Sequence, residues 1–397
     1  MFRLAIRMLL GDRAKYAGLI FGITFTSFLV TFALCYFCGF MTWGFALVAE
    51  HPYADVWVMD PAVESVEQTI NMADSALYRV RSVEGVRAAV PMALGTTDIH
   101  FPNGSFQPYQ VIGVDDATLA GLPNMGNGAT SALLHTPDGV LVSAGGTDDK
   151  LNTPLRKKDQ WPYGRPHLNV PIRELRGGDT LQINDRRALV VDNVQALPRY
   201  PARPLLYTTV ANASRFLPSE RHHLTFVLAS AAPGTDPGLL ARRIEARTGL
   251  RARTASDFKT DTVYWFLFNS EDVGDVATML ILAMIVGFGV TGVMLYIFTS
   301  ENLKQYAVLG AMGATSRQLV HMLFAQAGVC ALLGTGLGLG LCSIAGKALN
   351  GLDYPFRMMW FTPLFGIIMV SLVSLAAALL SVRPVLKLSP AVVFAGR

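Results

Sequence analysis

The sequence predicts an α-helical membrane protein with four transmembrane helices and an α+β extracytoplasmic domain, the latter a ferredoxin-like subdomain joined to a β-rich one. The first observation behind this is composition. The chain has 397 residues, of which 51% are hydrophobic and only 16% charged, against about 25% charged in a typical soluble domain. The second is where the charges are missing. No Asp, Glu, Lys or Arg occurs in 16–49, 276–300, 318–346 or 358–382, and each stretch exceeds the roughly 20 apolar residues that cross a bilayer as a helix. The third is the block between the first two stretches, whose ordinary polar composition is large enough for one or two globular domains. A soluble protein is excluded.

Taken in order, residues 1–15 read as a cytoplasmic amphipathic helix, with Phe2, Leu4, Ile6, Leu9 and Leu10 apolar and Arg3, Arg7 and Arg13 on a polar arc. Residues 16–49 form the first transmembrane helix and a stalk, because so long an uncharged stretch, at 1.5 Å per residue, outruns a hydrocarbon core of about 30 Å. It is too long for the core of a signal peptide and lacks a small-residue cleavage site, so it reads as a retained span. Residues 50–271 form the external domain. The later spans are 272–299, 318–346 and 360–382, separated by a cytoplasmic segment at 300–317 and a short external loop at 347–359; 383–397 is a cytoplasmic tail. Basic flanks orient the chain: Arg3, Arg7, Arg13 and Lys15, then Lys304 and Arg317, then Arg383, Lys387 and Arg397 put both termini in the cytoplasm of a multi-pass inner-membrane protein, with the large domain periplasmic or extracellular.

Within the external domain, 50–109 and 222–256 share one grammar: strand, helix, strand. The second helix has Asp236 at the N-cap, Pro237 just inside and Gly249 just past its end, the asymmetric punctuation of a helix. Together they predict a split β-α-β sheet. Between them, 110–221 alternates short β-like runs with Gly, Pro and Asp turns, and 150–171, with Arg156, Lys157 and Lys158, reads as an exposed loop. The aromatic residues Phe258, Tyr264, Trp265, Phe266 and Phe268 mark a second stalk helix returning to the bilayer.

Catalytic patterns are missing from the sequence. There is no G-x-x-x-x-G-K-[ST], no H-E-x-x-H and no G-x-S-x-G. The pair His222-His223 is adjacent, so in an extended run its rings point to opposite faces and share no metal. Cys35 and Cys38 form a C-x-x-C inside a span and read as packing residues, and the external domain, without cysteine, folds without disulfides. No metal, cofactor or nucleic acid is expected on this chain, and no enzymatic activity. Gly334, Gly336, Gly338 and Gly340 make overlapping G-x-x-x-G pairs, a helix-packing signal.

The strongest positive signal is the segment 301–317, a helix-forming run ending in a Gly-Ala turn that leads into the third span. Lys304, Tyr306, Leu309, Met312, Gly313 and Ala314 there resemble the FtsX/MacB-like ABC transporter permease superfamily, particularly its DevC-like branch, with Gln305 where that family carries Glu and Gly310 where it carries a base. The tail, with Arg383, Lys387 and Pro390, is similar to the family's basic terminal segment, and Gly178-Asp179 precedes a β run as in the family.

The resemblance implies a porter-like external domain and a non-catalytic permease subunit. A separate cytoplasmic ABC ATPase would bind ATP and Mg and drive export or extraction of a periplasmic or outer-leaflet substrate by mechanotransmission. The partners implied are that ATPase, a second permease copy or paralogue (homodimer or heterodimer), membrane lipids, and in many such systems a periplasmic adaptor protein with an outer-membrane duct. ATPase coupling falls on Lys304, Gln305, Tyr306, Leu309, Met312, Gly313, Ala314 and Arg317, with Tyr306, Leu309 and Met312 forming an apolar contact strip at three-residue offsets. The alternative it implies is an FtsX-like signalling module that regulates a periplasmic cell-wall hydrolase.

Overall fold

The computed structural model describes residues 13–123, 133–147, 150–155, 169–218, 223–350 and 354–386. The first twelve residues of the expected amphipathic helix, the basic residues Arg156, Lys157 and Lys158, His222, and Lys387 and Pro390 of the tail lie outside them. The chain divides into two compact units, Met1–Phe40 with Ser270–Arg397, and Met41–Asn269.

The first unit is helical. Helix α1 is Arg13–Gly44, continued by the short α2, Ala46–Ala49. After the sheet unit come α7 (Glu271–Glu301), α8 (Leu303–Ala311), α9 (Ser316–Asn350) and α10 (Phe361–Leu386). Among the described residues, four helices are long and apolar enough to cross a membrane: Tyr16–Gly44, Glu271–Glu301, Ser316–Leu349 and Phe361–Val382.

They pack through small residues, which let backbones approach closely. The Thr26 hydroxyl lies 3.1 Å from the Gly287 carbonyl and 3.0 Å from the Thr291 hydroxyl. A Cβ on Gly287 would fall 2.3 Å from Thr26 Cγ2, and one on Gly366 2.4 Å from Thr31 Oγ1. Leu19, Ile23, Leu295, Phe298, Val370 and Ala377 form the apolar centre of this bundle.

The second unit is built on one nine-stranded sheet, ordered β11-β1-β10-β2-β3-β9-β4-β8-β7. Its strands are β1 (Val56–Met59), β2 (Val86–His100), β3 (Phe106–Val114), β4 (Gly139–Ser143), β7 (Thr180–Ile183), β8 (Arg186–Asn193), β9 (Leu205–Thr209), β10 (Phe226–Ala231) and β11 (Arg251–Thr254); β5 (Asn152–Pro154) and β6 (Ile172–Glu174) pair separately.

The first four strands in that order are antiparallel, from two β-α-β units whose helices are α3 (Ser75–Arg81) and α5 (Pro237–Thr248). Asp236 Oδ2 accepts from the Leu239 N–H at 2.9 Å, Pro237 opens α5, and Gly249 closes it in the left-handed region at φ 67°, which a Cβ would strain. The two helices pack over Val56, Val58, Val227 and Ala229.

One sheet runs through both parts of this unit. Strand β2 is 15 residues long. Its first half pairs with β10 and its second, Ala93–His100, with β3. Its end also pairs with β7, Ile99 opposite Ile183, so the β-rich part closes on itself through β2-β3-β9-β4-β8-β7. Closure removes the free edges that a sheet would otherwise expose, and it encloses a core of Ile99, Tyr109, Val111, Val142, Leu206 and Phe216. The run 205–210 ends as a strand at Thr209, whose hydroxyl accepts from the Asn212 N–H and starts α4, Val210–Phe216.

Both chain connections of this unit enter its main core. Leu47 and Val48 from α2 and Phe258 from α6 (Ala255–Asn269) pack with Trp57, Phe226 and Tyr207. Trp57 meets Phe226 edge-on at 5.4 Å between centroids. Gly44 abuts Phe266, leaving no room for a side chain there: a Cβ would sit 2.7 Å from its ring.

Candidate coupling site

The segment 300–317 folds as a corner. Asn302 ends α7 by donating its side-chain amide to the Phe298 carbonyl at 2.8 Å, and its own carbonyl accepts from the N–H groups of Gln305 and Tyr306 as α8 begins. At the other end Met312 N–H returns to Val308 O and Ala314 N–H to Leu309 O, each at 3.0 Å. The turn uses Gly313 at φ 97°, where L side chains are disfavoured. Then Thr315 and Gln318 exchange bonds: Thr315 N–H donates to Gln318 Oε1 at 2.9 Å, and Gln318 N–H to Thr315 Oγ1 at 3.4 Å. This is a capping box, legible in Thr-Ser-Arg-Gln but not used in the sequence reading.

Tyr306 corrects the expected contact strip. It is fully buried, and its hydroxyl donates to Gln326 Oε1 of α9 at 2.7 Å. Leu303, Leu309, Leu319 and Ala314 pack around it. Burial pushes its hydroxyl up to about 12, the bond to Gln326 acting weakly the other way, so it stays neutral at physiological pH. The physical reason is the helix wheel: a nine-residue helix beside α9 must bury one face, and the largest apolar body on α8 takes it. Gln326, wholly buried in the uncharged stretch 318–346 of α9, needs a polar partner, and the phenol supplies one. Sequence reasoning missed that pair; the isolated Gln in an apolar run was the available signal.

The outward face of α8 and its turn is instead Lys304, Gln305, Val308, Ala311 and Met312, all exposed, Val308 at 45% and Met312 at 72%. The offsets of one, four, seven and eight from Lys304 put them on one side of the helix. Leu309 and Ala314 are half-buried, while Gly313 and Arg317 are exposed. Of the tail, Arg383 lies in the last turns of α10.

The glycine ladder divides by face. Gly334 and Gly338 abut α1: a Cβ would meet Ile23 at 2.7 Å and Ser27 at 2.5 Å. Gly336 and Gly340 meet nothing within 4 Å. Cys35 likewise turns to Thr362 Oγ1, at 3.6 Å, and packs with Cys342.

A second polar centre lies in the sheet unit, where sequence reasoning had placed nothing. Glu50, one residue past α2, accepts from Arg199 and from the Leu197 N–H, and from the Tyr207 hydroxyl at 3.0 Å. Arg199 and Glu50 are almost wholly buried. Beside them His51 sets Nδ1 2.6 Å from Leu47 O and Nε2 2.9 Å from Gly121 O. Two carbonyl partners favour a protonated ring, but burial is the larger influence and holds its pKa below the usual value.

Residues 277–390 match the family described as FtsX-like permease C-terminal. That span covers most of α7, all of α8 and α9, and α10 to its end. No match is found among curated proteins. Among solved structures, the chain is similar to the periplasmic region of MacB from Actinobacillus actinomycetemcomitans, at 10% identity over 53% of this chain and 92% of that one, with a TM-score of 0.34. It is also similar to the extracellular domain of the noncanonic ABC-type transporter YknZ from Gram-positive bacteria, at 9% identity over 51% of this chain and 100% of that one, TM-score 0.33. The α8 corner lies inside the span that matches the FtsX-like permease C-terminal family.

Proposed function

We propose that this chain is the transmembrane subunit of a MacB/DevC-like ABC transporter. A separate cytoplasmic ATPase docks on the exposed face of α8, and its ATP-driven motion is delivered to an extracytoplasmic domain that moves a periplasmic or outer-leaflet substrate mechanically. The observation that carries this reading is the packing of both stalk connections, α2 and α6, into the main core of the sheet unit. A close-packed core does not deform continuously, so displacement of either connection is passed to β1 and β10 rather than absorbed.

The strand order β11-β1-β10-β2 supports the ferredoxin-like, porter-type description of that part of the sheet. The cytoplasmic placement of both termini is supported by the basic flanks. A homodimer or a heterodimer with a paralogue completes the assembly, with an adaptor protein and an outer-membrane duct as further partners; ATP and Mg belong to the ATPase.

The test is ATP turnover by the purified full chain, alone and with the ATPase that copurifies from native membranes. The account expects turnover only with the partner present. Measurable hydrolysis by the chain alone would overturn it.

A further inference from the structure

We infer that the outer surface of the α9–α10 pair is a binding site for one anionic phospholipid, its phosphate held by Lys347 and Arg357 and one acyl chain lying in the groove below. The inference rests on the membrane-spanning reading of these helices. Two cavities share the same pair of helices. One, of about 300 Å³, is lined by Lys347 and Arg357 together with Ser343, Gly346, Phe356 and Met358. Both cations are exposed, and no carboxylate lines the cavity among the described residues. The other, of about 450 Å³, is an apolar groove between α9 and α10, within the roughly 300–1,000 Å³ of small-molecule sites.

The two cavities form one lane. Leu332, Gly336 and Leu339 of the groove are followed on α9 by Ser343, Gly346 and Lys347 of the cationic cavity. Offsets of four, seven, eleven, fourteen and fifteen from Leu332 keep all six on one helical stripe. Fifteen residues rise roughly 22 Å, which equals roughly half of a 40–45 Å bilayer counted with its headgroups. A lipid of a single leaflet fits that length, headgroup at Lys347 and chain end near Leu332.

The leaflet is fixed by neighbouring contacts. Arg357 N–H donates to Cys35 O at 3.0 Å and Gly39 abuts Pro355, so the cationic end lies level with the C-terminal part of α1. Trp360, 83% exposed at the start of α10, marks the same level as an interfacial residue. Two cations close together attract an acidic headgroup by ordinary electrostatics, undiminished by any carboxylate among the described residues of the cavity. The groove explains why Gly336 is small although no protein atom lies within 4 Å of its missing side chain: the lipid chain occupies that space.

The experiment is native mass spectrometry of the full chain, released from mild detergent after equilibration with phosphatidylglycerol or phosphatidylcholine. Wild type should retain one phosphatidylglycerol in preference to phosphatidylcholine. Lys347→Gln with Arg357→Gln should weaken that retention roughly tenfold or more, as expected for two cations near a headgroup. Gly336→Leu should lose the lipid with both cations intact, and Leu332→Phe, at a side chain 76% exposed, is the second groove-filling variant. Excess glycerol phosphate should not displace the lipid. Equal retention by the double variant, retention by both groove variants, or displacement by glycerol phosphate would each overturn the site. No ATPase and no transported substrate enter this measurement, so its failure would leave the proposed permease function standing.

Discussion

The Tyr306 hydroxyl and the Gln326 side-chain carbonyl meet at 2.7 Å with both residues buried from solvent, which makes the α8 corner part of the helical core rather than a free loop. Tyr306→Phe should cost about 1 kcal/mol, the net worth of one buried hydrogen bond. Tyr306→Ala should cost about 3–5 kcal/mol through the cavity as well. Thermal unfolding in detergent reads both; equal melting temperatures for wild type and Tyr306→Ala would contradict the pairing.

The glycine ladder gives a paired prediction. Gly334→Leu and Gly338→Leu force a side chain into Ile23 and Ser27 of α1, and each should destabilise by about 3 kcal/mol or more, the upper range of overpacking. In lipid-free detergent, where the groove is empty in both proteins, Gly336→Leu should leave the melting temperature unchanged. Size-exclusion profiles and melting curves of the three variants decide; a Gly336→Leu as damaged as Gly338→Leu would show that the faces are misassigned.

The ion pair at the end of α2 is a liability if only half is removed. Glu50→Ala leaves Arg199 buried without a counter-charge and should cost about 3–5 kcal/mol, as broken buried pairs do. The double change Glu50→Gln with Arg199→Met should recover much of that loss. Chemical denaturation of the sheet unit within the intact protein measures both, and additive losses would contradict a direct pairing.

In the β-rich part, Arg173 holds the Asp179 carboxyl below the ordinary carboxylate range through two hydrogen bonds of 2.7 and 2.6 Å, with the Arg176 N–H adding a third. A depressed folded-state pKa contributes stability above the unfolded value of about 3.9 and loses it as pH falls through the folded value. Asp179→Asn should therefore lower stability at neutral pH, with the difference from wild type shrinking below about pH 4. A difference independent of pH would show that the carboxylate charge is not involved.

Much of this architecture was readable in the sequence because it rests on local signals. Uncharged stretches mark the apolar helices, and Asp236, Pro237 and Gly249 mark the ends of α5. The resemblance in 301–317 pointed to the region that matches the FtsX-like family. What sequence reasoning could not supply were facts of tertiary packing. Which side of α8 faces α9 depends on a partner, Gln326, 20 residues away, and the choice moved Tyr306 from the surface to the core. The double use of β2, the closure through β7, and the meeting of Glu50 with Arg199, 149 residues apart, likewise depend on long-range pairing that no local pattern records.

The most direct test of the central claim is copurification of the ATPase with the full chain carrying a charge on the outward face of α8. Val308→Glu and Met312→Glu alter exposed side chains, so the melting temperature should hold while association weakens by about 2 kcal/mol, the scale of an interface hot spot. The account predicts that both variants lose the ATPase and the transport activity that depends on it, whereas Tyr306→Phe keeps its partner in proportion to the folded fraction. Retention of the ATPase at wild-type levels by Val308→Glu and Met312→Glu would contradict it.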